Sequence, residues 1–216
     1  MRSDGETFTE QARRRQIVDA AIELIAREGF VGASVARIAA EAGVAKSAVL
    51  YYFAGKDALV AAVVGSVMGD AAVALAGAVR AESSALARLQ AYIRANCAYL
   101  DTHRTASVAM FEIMTSFRTT DGLRLDQAAQ RAVEQEPVQG DQVFLDPQAI
   151  LDQGVRSGEF SAVDPLFTKN ALRGALDGAV AELARDPDYD VIGYGEQLVA
   201  LFTAALRTEP TERRSQ

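Results

Sequence analysis

The sequence contains no tryptophan, one cysteine (Cys97) and one histidine (His103). A single cysteine excludes an intrachain disulfide, and Cys97 is expected to pack as a small hydrophobic side chain. One cysteine and one histidine give no cluster with metal-ligand spacing. A catalytic Ser/His or Cys/His pair would have to use one of them with a positioned partner, and their spacing places them across a helix boundary. No glycine-rich phosphate loop follows a strand. We therefore expect no enzymatic activity, no metal and no cofactor.

Uninterrupted apolar runs of about 18 residues are also missing. The most apolar stretch, Ala58 to Val79, is broken by Gly65, Ser66, Gly69 and Asp70. The first residues are acidic and polar and carry no signal-peptide pattern, so a cytoplasmic protein with no membrane partner is expected. Segments rich in β-branched and aromatic residues are scarce while alanine is abundant, which favours an all-α chain. Lysine is rare as well: three (Lys46, Lys56, Lys169) against 19 arginines.

The net charge is −7, but it is unevenly spread. Residues 1–56 hold eight Lys/Arg and seven Asp/Glu, a balance of +1 that leaves −8 for the remainder. Binding to a polyanion depends on the local patch rather than the total. The acidic remainder would point away from such a partner.

The most informative segment runs from Ser34 to Lys56. Val35, Ile38, Ala39 and Ala42 repeat as the apolar face of a short helix, with Ser34 at the N-cap position and Gly43 where the chain must turn left-handed. Lys46 to Tyr52 make a second helix of barely two turns, too short to be stable alone. The pair reads as a helix-turn-helix, whose second helix enters the major groove of DNA.

Helical patterns cover most of the rest. The first helix is expected from about Glu10 to Glu28, with Ile17, Ala21, Leu24 and Ile25 buried. Gly29 ends it, and Phe30 folds into a small core with Ile38, Val49 and Phe53. A long helix follows from Lys56 to about Arg80, in which Gly65, Gly69 and Gly77 each cost about 1 kcal/mol relative to Ala and permit either bending or close packing. Residues 82–100 carry Leu86, Leu89, Tyr92, Ile93, Asn96 and Leu100 in phase. Residues 103–118 carry Val108, Phe111, Met114 and Phe117. Residues 119–141 are the least regular, with a helical piece near Leu125–Gln135. Asp146-Pro147 opens a helix ended by Gly158, Asp164-Pro165 opens another to about Arg185, and a last helix spans about 191–207. Residues 1–8 and 208–216 are expected to be loose.

The first 60 residues resemble the TetR-type helix-turn-helix transcriptional regulators. The shared features are Arg13-Arg14-Arg15, Gly29-Phe30, Ser34, Ala42-Gly43-Val44, Lys46, Tyr51-Tyr52-Phe53 and Lys56-Asp57. Ala45 departs from the usual capping Ser, a loss of about 0.5–2 kcal/mol if nothing else meets the amides. Ser47-Ala48 replaces a frequent Gly-Thr, and Leu50 stands where many members carry a phosphate-touching Tyr. The resemblance implies a helix-turn-helix head at residues 1–56 and a ligand-binding and dimerisation domain at 57–216.

It also implies a ligand-responsive regulator, a repressor released from double-stranded operator DNA by a small molecule. Lys46, Tyr51, Tyr52 and Lys56 are the phosphate candidates, with Ser34 and Arg37 as further contacts. Ser47 and Ala48 face base edges, the first by hydrogen bonding and the second against a thymine methyl. The effector, mostly apolar, is expected near Tyr92, Asn96, Tyr99, His103, Met110, Phe111, Met114 and Phe117. Asn96 and His103 stand out because a buried polar group without a partner is costly. The last two helices, with Gly174 and Gly178 four apart, are expected to form a homodimer. The alternative is a helical ligand-binding or interaction protein whose head does not bind DNA.

Overall fold

The computed structural model describes residues 8–135 and 139–207. The expected loose ends at 1–7 and 208–216 lie outside these residues, whereas Phe8 already belongs to the first helix. Ten α-helices appear among the described residues, with no strand: α1 (Phe8–Gly32), α2 (Val35–Glu41), α3 (Lys46–Tyr52), α4 (Lys56–Arg80), α5 (Ala85–Thr102), α6 (Arg104–Ser116), α7 (Leu125–Gln135), α8 (Gln148–Ser157), α9 (Pro165–Arg185) and α10 (Val191–Leu206). A 3₁₀ turn at Gly140–Leu145 precedes α8. The chain is all-α, as its composition implied.

The helices group into two compact units: residues 1–68 with 105–137, and residues 69–104 with 138–216. In the first unit, α1 buries Ile17, Val18, Ala20, Ala21, Leu24 and Ile25, a stripe at helical spacing. The helical path breaks at Gly29, where φ is 74° and ψ is 161°. A last turn to Gly32 follows that break. Phe30 is half-buried rather than enclosed. Its ring meets Phe117 edge-on with centroids 5.6 Å apart, while Ile38, Val49 and Phe53 are fully buried.

Local chemistry sets the next two helices. The Ser34 hydroxyl accepts from the Arg37 amide at 3.4 Å and caps α2. Gly43 takes φ 64°, which glycine adopts without a Cβ penalty. Ala45 is the N-cap of α3 and offers no side-chain bond. Tertiary ties hold the short helices in its place: Gln16 Nε2 donates to the Ala42 carbonyl, and Arg14 Nη1 donates to the Tyr52 carbonyl at 2.8 Å while lying over the Phe53 ring.

Among the described helices α4 alone is long and apolar enough to cross a membrane. Its apolar residues form an inward stripe: Leu59, Val60, Val63, Val67, Ala71, Leu75 and Val79 are all buried in the protein. Nothing lies within 4 Å of a Cβ built at Gly65, Gly69 or Gly77, so close packing in the chain is not why they are there.

In α6 the buried face differs from the expected one. Ser107, Ala109 and Ile113 are buried within the helix and Phe117 just beyond it, whereas Val108, Phe111 and Met114 are half-buried. Ala109, Ile113 and Phe117 follow at intervals of four, so the buried stripe starts one position round the helix from the expected one.

The second unit is tied by capping. Gly158 ends α8 with φ 73°. The Glu159 carboxylate then accepts from the amides of Ala85 and Leu86 at 2.8 and 2.9 Å, capping α5. Phe160 is buried over Gly154, where an added Cβ would stand 2.1 Å from its ring. Asp164 caps α9 through the Leu166 and Phe167 amides, with Pro165 at the first position. Helix α10 packs on α5, with Gly195 against Cys97. Burial pushes the Cys97 thiol up to about 11, so it stays protonated and acts as a small apolar filler.

Candidate DNA-binding surface and effector region

Within the head, α3 divides by face. Val49 and the following Phe53 are buried, whereas Lys46, Ser47, Leu50 and Tyr51 are exposed and Ala48 is half-buried. Adjacent helical residues point about 100° apart, so only one of the two tyrosines can face outward. That one is Tyr51, 75% exposed. Tyr52 is half-buried and meets Tyr51 edge-on with centroids 5.0 Å apart.

The basic candidates separate in the same way. Arg37 donates to the Gly32 carbonyl and pairs with Glu28. Arg27 pairs with Glu41 at 2.8 Å. Lys56 donates to the Phe30 carbonyl at 2.8 Å and sits 3.9 Å over the Phe30 ring; burial lowers its pKa. Arg13, Arg15 and Lys46 carry no ion pair among the described residues. Acids that dilute the head's charge in the sequence are thus held in part against arginines of the same unit. Sequence reasoning missed the anchoring roles of Arg14 and Gln16. Their targets are backbone carbonyls of α3 and of the α2 C-cap, far along the chain.

The effector candidates fall in different units. In the second unit, Tyr92 is fully buried; its hydroxyl donates to the Leu145 carbonyl at 3.1 Å and accepts from Arg173 Nη1 at 3.2 Å. Asn96 Nδ2 donates to the Tyr92 carbonyl at 2.8 Å. His103 is exposed, caps the end of α5 and stacks on Tyr99 at 4.2 Å. Its Nδ1 lies near the Thr102 hydroxyl and the Tyr99 carbonyl. Burial pushes the Tyr99 phenol up to about 12. Asn96 and His103 therefore have protein partners, which removes the reason for singling them out. The sequence reading also passed over Arg173, a half-buried guanidinium with no carboxylate in ion-pair range among the described residues.

In the first unit, Met110, Phe111 and Met114 are half-buried on one face of α6, and Phe117 is buried against Phe30. The polar atom without a partner lies here. Ser107 Oγ is the one fully buried side-chain oxygen or nitrogen with no hydrogen bond among the described residues.

On the last two helices, Leu172, Leu176, Leu183, Leu198, Phe202 and Leu206 are buried in the chain's own core. The surface left for a partner carries Ala171, Gly174, Leu201 and Ala205, exposed, with Ala175 and Gly178 half-buried. The Tyr194 hydroxyl donates to the Ala175 carbonyl beside Gly178.

Comparison with known proteins bears on the same segment. The family model of the bacterial regulatory proteins, tetR family, matches residues 17–63, which contain the capped α2, the Gly43 turn and α3. The fatty acid metabolism regulator protein of Bacillus subtilis is 26% identical over 197 residues, 90% of this chain and 95% of that protein. The HTH-type transcriptional regulator BetI of Brucella suis is 26% identical over 192 residues, 85% and 92% of the two chains. The structure of the Bacillus subtilis transcriptional regulator FadR in complex with stearoyl-CoA aligns with a TM-score of 0.73 at 22% identity, covering 89% of this chain and 99% of that one. At that identity the likeness carries the fold.

Proposed function

This chain is a TetR-type helix-turn-helix regulator, and from that premise we propose that it is a cytoplasmic repressor that acts as a homodimer and leaves its operator when an acyl compound binds. The observation that carries the DNA-binding part is the outward face of α3, where Lys46, Ser47 and Tyr51 stand exposed on a helix pinned by Arg14 and Gln16. Lys46 and Tyr51 meet phosphates, with Tyr52 and Lys56 at the edge of the contact. Ser47 and Ala48 meet bases. Neither is a strong discriminator, so DNA shape contributes to specificity. Ser34 and Arg37 hold the start of α2, the first by its cap and the second through Gly32 and Glu28.

The functional division we adopt is residues 1–56 for DNA and 57–216 for effector and dimer. The acyl class is favoured by two facts. The fatty acid metabolism regulator protein aligns along 90% of this chain, and α6 offers half-buried Met110, Phe111 and Met114. Apolar lining with few polar groups is the usual make-up of a small-molecule site. An effector of this kind must bind the DNA-free state more tightly than the DNA-bound one, and operator must weaken effector binding by the same factor.

Selection of bound sequences from random DNA, followed by titration with dodecanoyl-CoA, tests both parts. Recovery of a palindromic site whose complex dissociates with the acyl compound supports the reading. No enrichment at low salt would mean that the head does not bind DNA.

A further inference from the structure

We propose that Ser107 is an effector-binding residue: its hydroxyl donates a hydrogen bond to the neutral carbonyl oxygen of an acyl thioester or ester lying along α6. This rests on the acyl reading above and sharpens it. Ser107 is 4% exposed, and its Oγ has no hydrogen-bond partner among the described residues. A helical hydroxyl ordinarily finds one by bonding back to the carbonyl four residues earlier. Nearby residues do so: Thr102 bonds to the Ala98 carbonyl and Thr115 to the Phe111 carbonyl, at 2.8 and 2.9 Å. Ser107 does not, although it sits in the same kind of helix. A buried hydroxyl left unmet loses its hydration and gains nothing for it.

Its surroundings on α6 specify what would meet it. Met110, Phe111 and Met114 lie three, four and seven residues on, the spacing of one helix face, and all three retain exposed apolar surface. A single donor among apolar side chains suits a chain-like molecule with one acceptor. Between residues 105 and 116 the one charged side chain is Glu112. A carboxylate would find no cation on this stretch of helix, whereas a neutral carbonyl needs only a donor. The match is therefore a thioester or ester rather than a free fatty acid.

The test compares dodecanoyl-CoA with S-dodecyl-CoA, a thioether in which a methylene replaces the carbonyl, by calorimetric titration of the full-length protein. Wild type should prefer the thioester by about tenfold, because a site built to hydrogen-bond an oxygen rejects the analogue lacking it. Ser107→Ala should erase that preference by weakening thioester binding, with thioether affinity unchanged. It should also raise the melting temperature of the ligand-free protein by a few degrees, since the unmet hydroxyl is gone. If Ser107→Ala misfolds, Ser107→Cys, of similar shape and a weak donor, should reduce the preference in the same titration. A preference that survives the substitution, or a lowered melting temperature in Ser107→Ala, overturns this inference and leaves the acyl reading standing. Binding of neither compound to wild type overturns the acyl reading and this inference with it.

Discussion

The Lys56 ammonium donates to the Phe30 carbonyl at 2.8 Å and lies 3.9 Å above the Phe30 ring. The contact ties the first turn of α4 to the residue just after the Gly29 break in α1. It combines a charge-assisted hydrogen bond with a cation–π contact, both stronger where water is partly excluded. Lys46 has no such tie among the described residues and is exposed. Two lysines that look equivalent in the sequence thus sit in different environments.

Their substitutions should separate accordingly. Lys46→Ala should weaken operator binding, leave the preferred sequence unchanged and flatten the log–log salt dependence by about 0.9, one counterion per lost phosphate contact. Its melting temperature should match wild type. Lys56→Ala should lower the melting temperature by a few degrees because the Phe30 carbonyl loses its donor. Titrations at several salt concentrations, alongside thermal melts, read both effects. An unchanged Lys46→Ala slope would remove this residue from the phosphate contact.

Glu159 gives a pH-dependent prediction. Backbone amides of Leu86 and Ala85 donate to its carboxylate and hold its pKa below the usual glutamate value. A depressed folded pKa means that the contribution to stability is complete above the unfolded value, about 4.3, and is lost as pH falls through the folded value. Glu159→Gln should therefore melt lower than wild type at pH 7, and the two curves should converge below about pH 4. Melts across that range check it. A gap that persists undiminished at low pH would mean that the charge is not what stabilises the cap.

Local chemistry made much of the fold legible. Ser34, Gly43, Gly158 and the Asp164-Pro165 pair each announce a helix end through their own backbone or side-chain preferences, and α2, α8 and α9 start or stop where those signals fall. Side-chain contacts that form only on the folded backbone carry no such mark. Arg37 reads as a DNA-contact candidate in the sequence because Glu28 and the Gly32 carbonyl meet it only in the folded head. Asn96 and His103 looked like ligand donors because the carbonyls of Tyr92 and Tyr99 that meet them belong to their own helix. Ser107 drew no notice, since a serine within a helix is ordinary until its hydroxyl proves to have no partner among the described residues.

Gly154 should be intolerant of any side chain. A Cβ there would stand 2.1 Å from the Phe160 ring, and Phe160 is 3% exposed, so the ring has little room to yield. Overpacking of this kind costs roughly 1–3 kcal/mol. Gly154→Ala should lower the denaturant midpoint with little change in the slope of the transition. Pairing it with Phe160→Leu should recover part of the loss, because the smaller side chain vacates the space. A fully stable Gly154→Ala would show that Phe160 can move aside.

Gly174 tests the dimer without disturbing the chain's own packing. A Cβ at this position meets nothing within 4 Å, and the residue is exposed on α9. A larger side chain is therefore harmless within one chain and is felt only if a second copy covers that face. A two-fold interface presents the same patch from both subunits, so each substitution enters twice. With roughly 1–3 kcal/mol per overpacked contact, Gly174→Leu should move the protein toward monomer in sedimentation runs at low micromolar concentration. Melting of the dilute monomer should match that of wild-type monomer. Operator affinity should fall in parallel, since a helix-turn-helix reads two half-sites one helical turn apart only when its two heads are held together. A Gly174→Leu protein that remains dimeric would move the interface off this face of α9. A monomer that still bound operator at wild-type affinity would break the link between dimer and DNA on which the repressor reading depends.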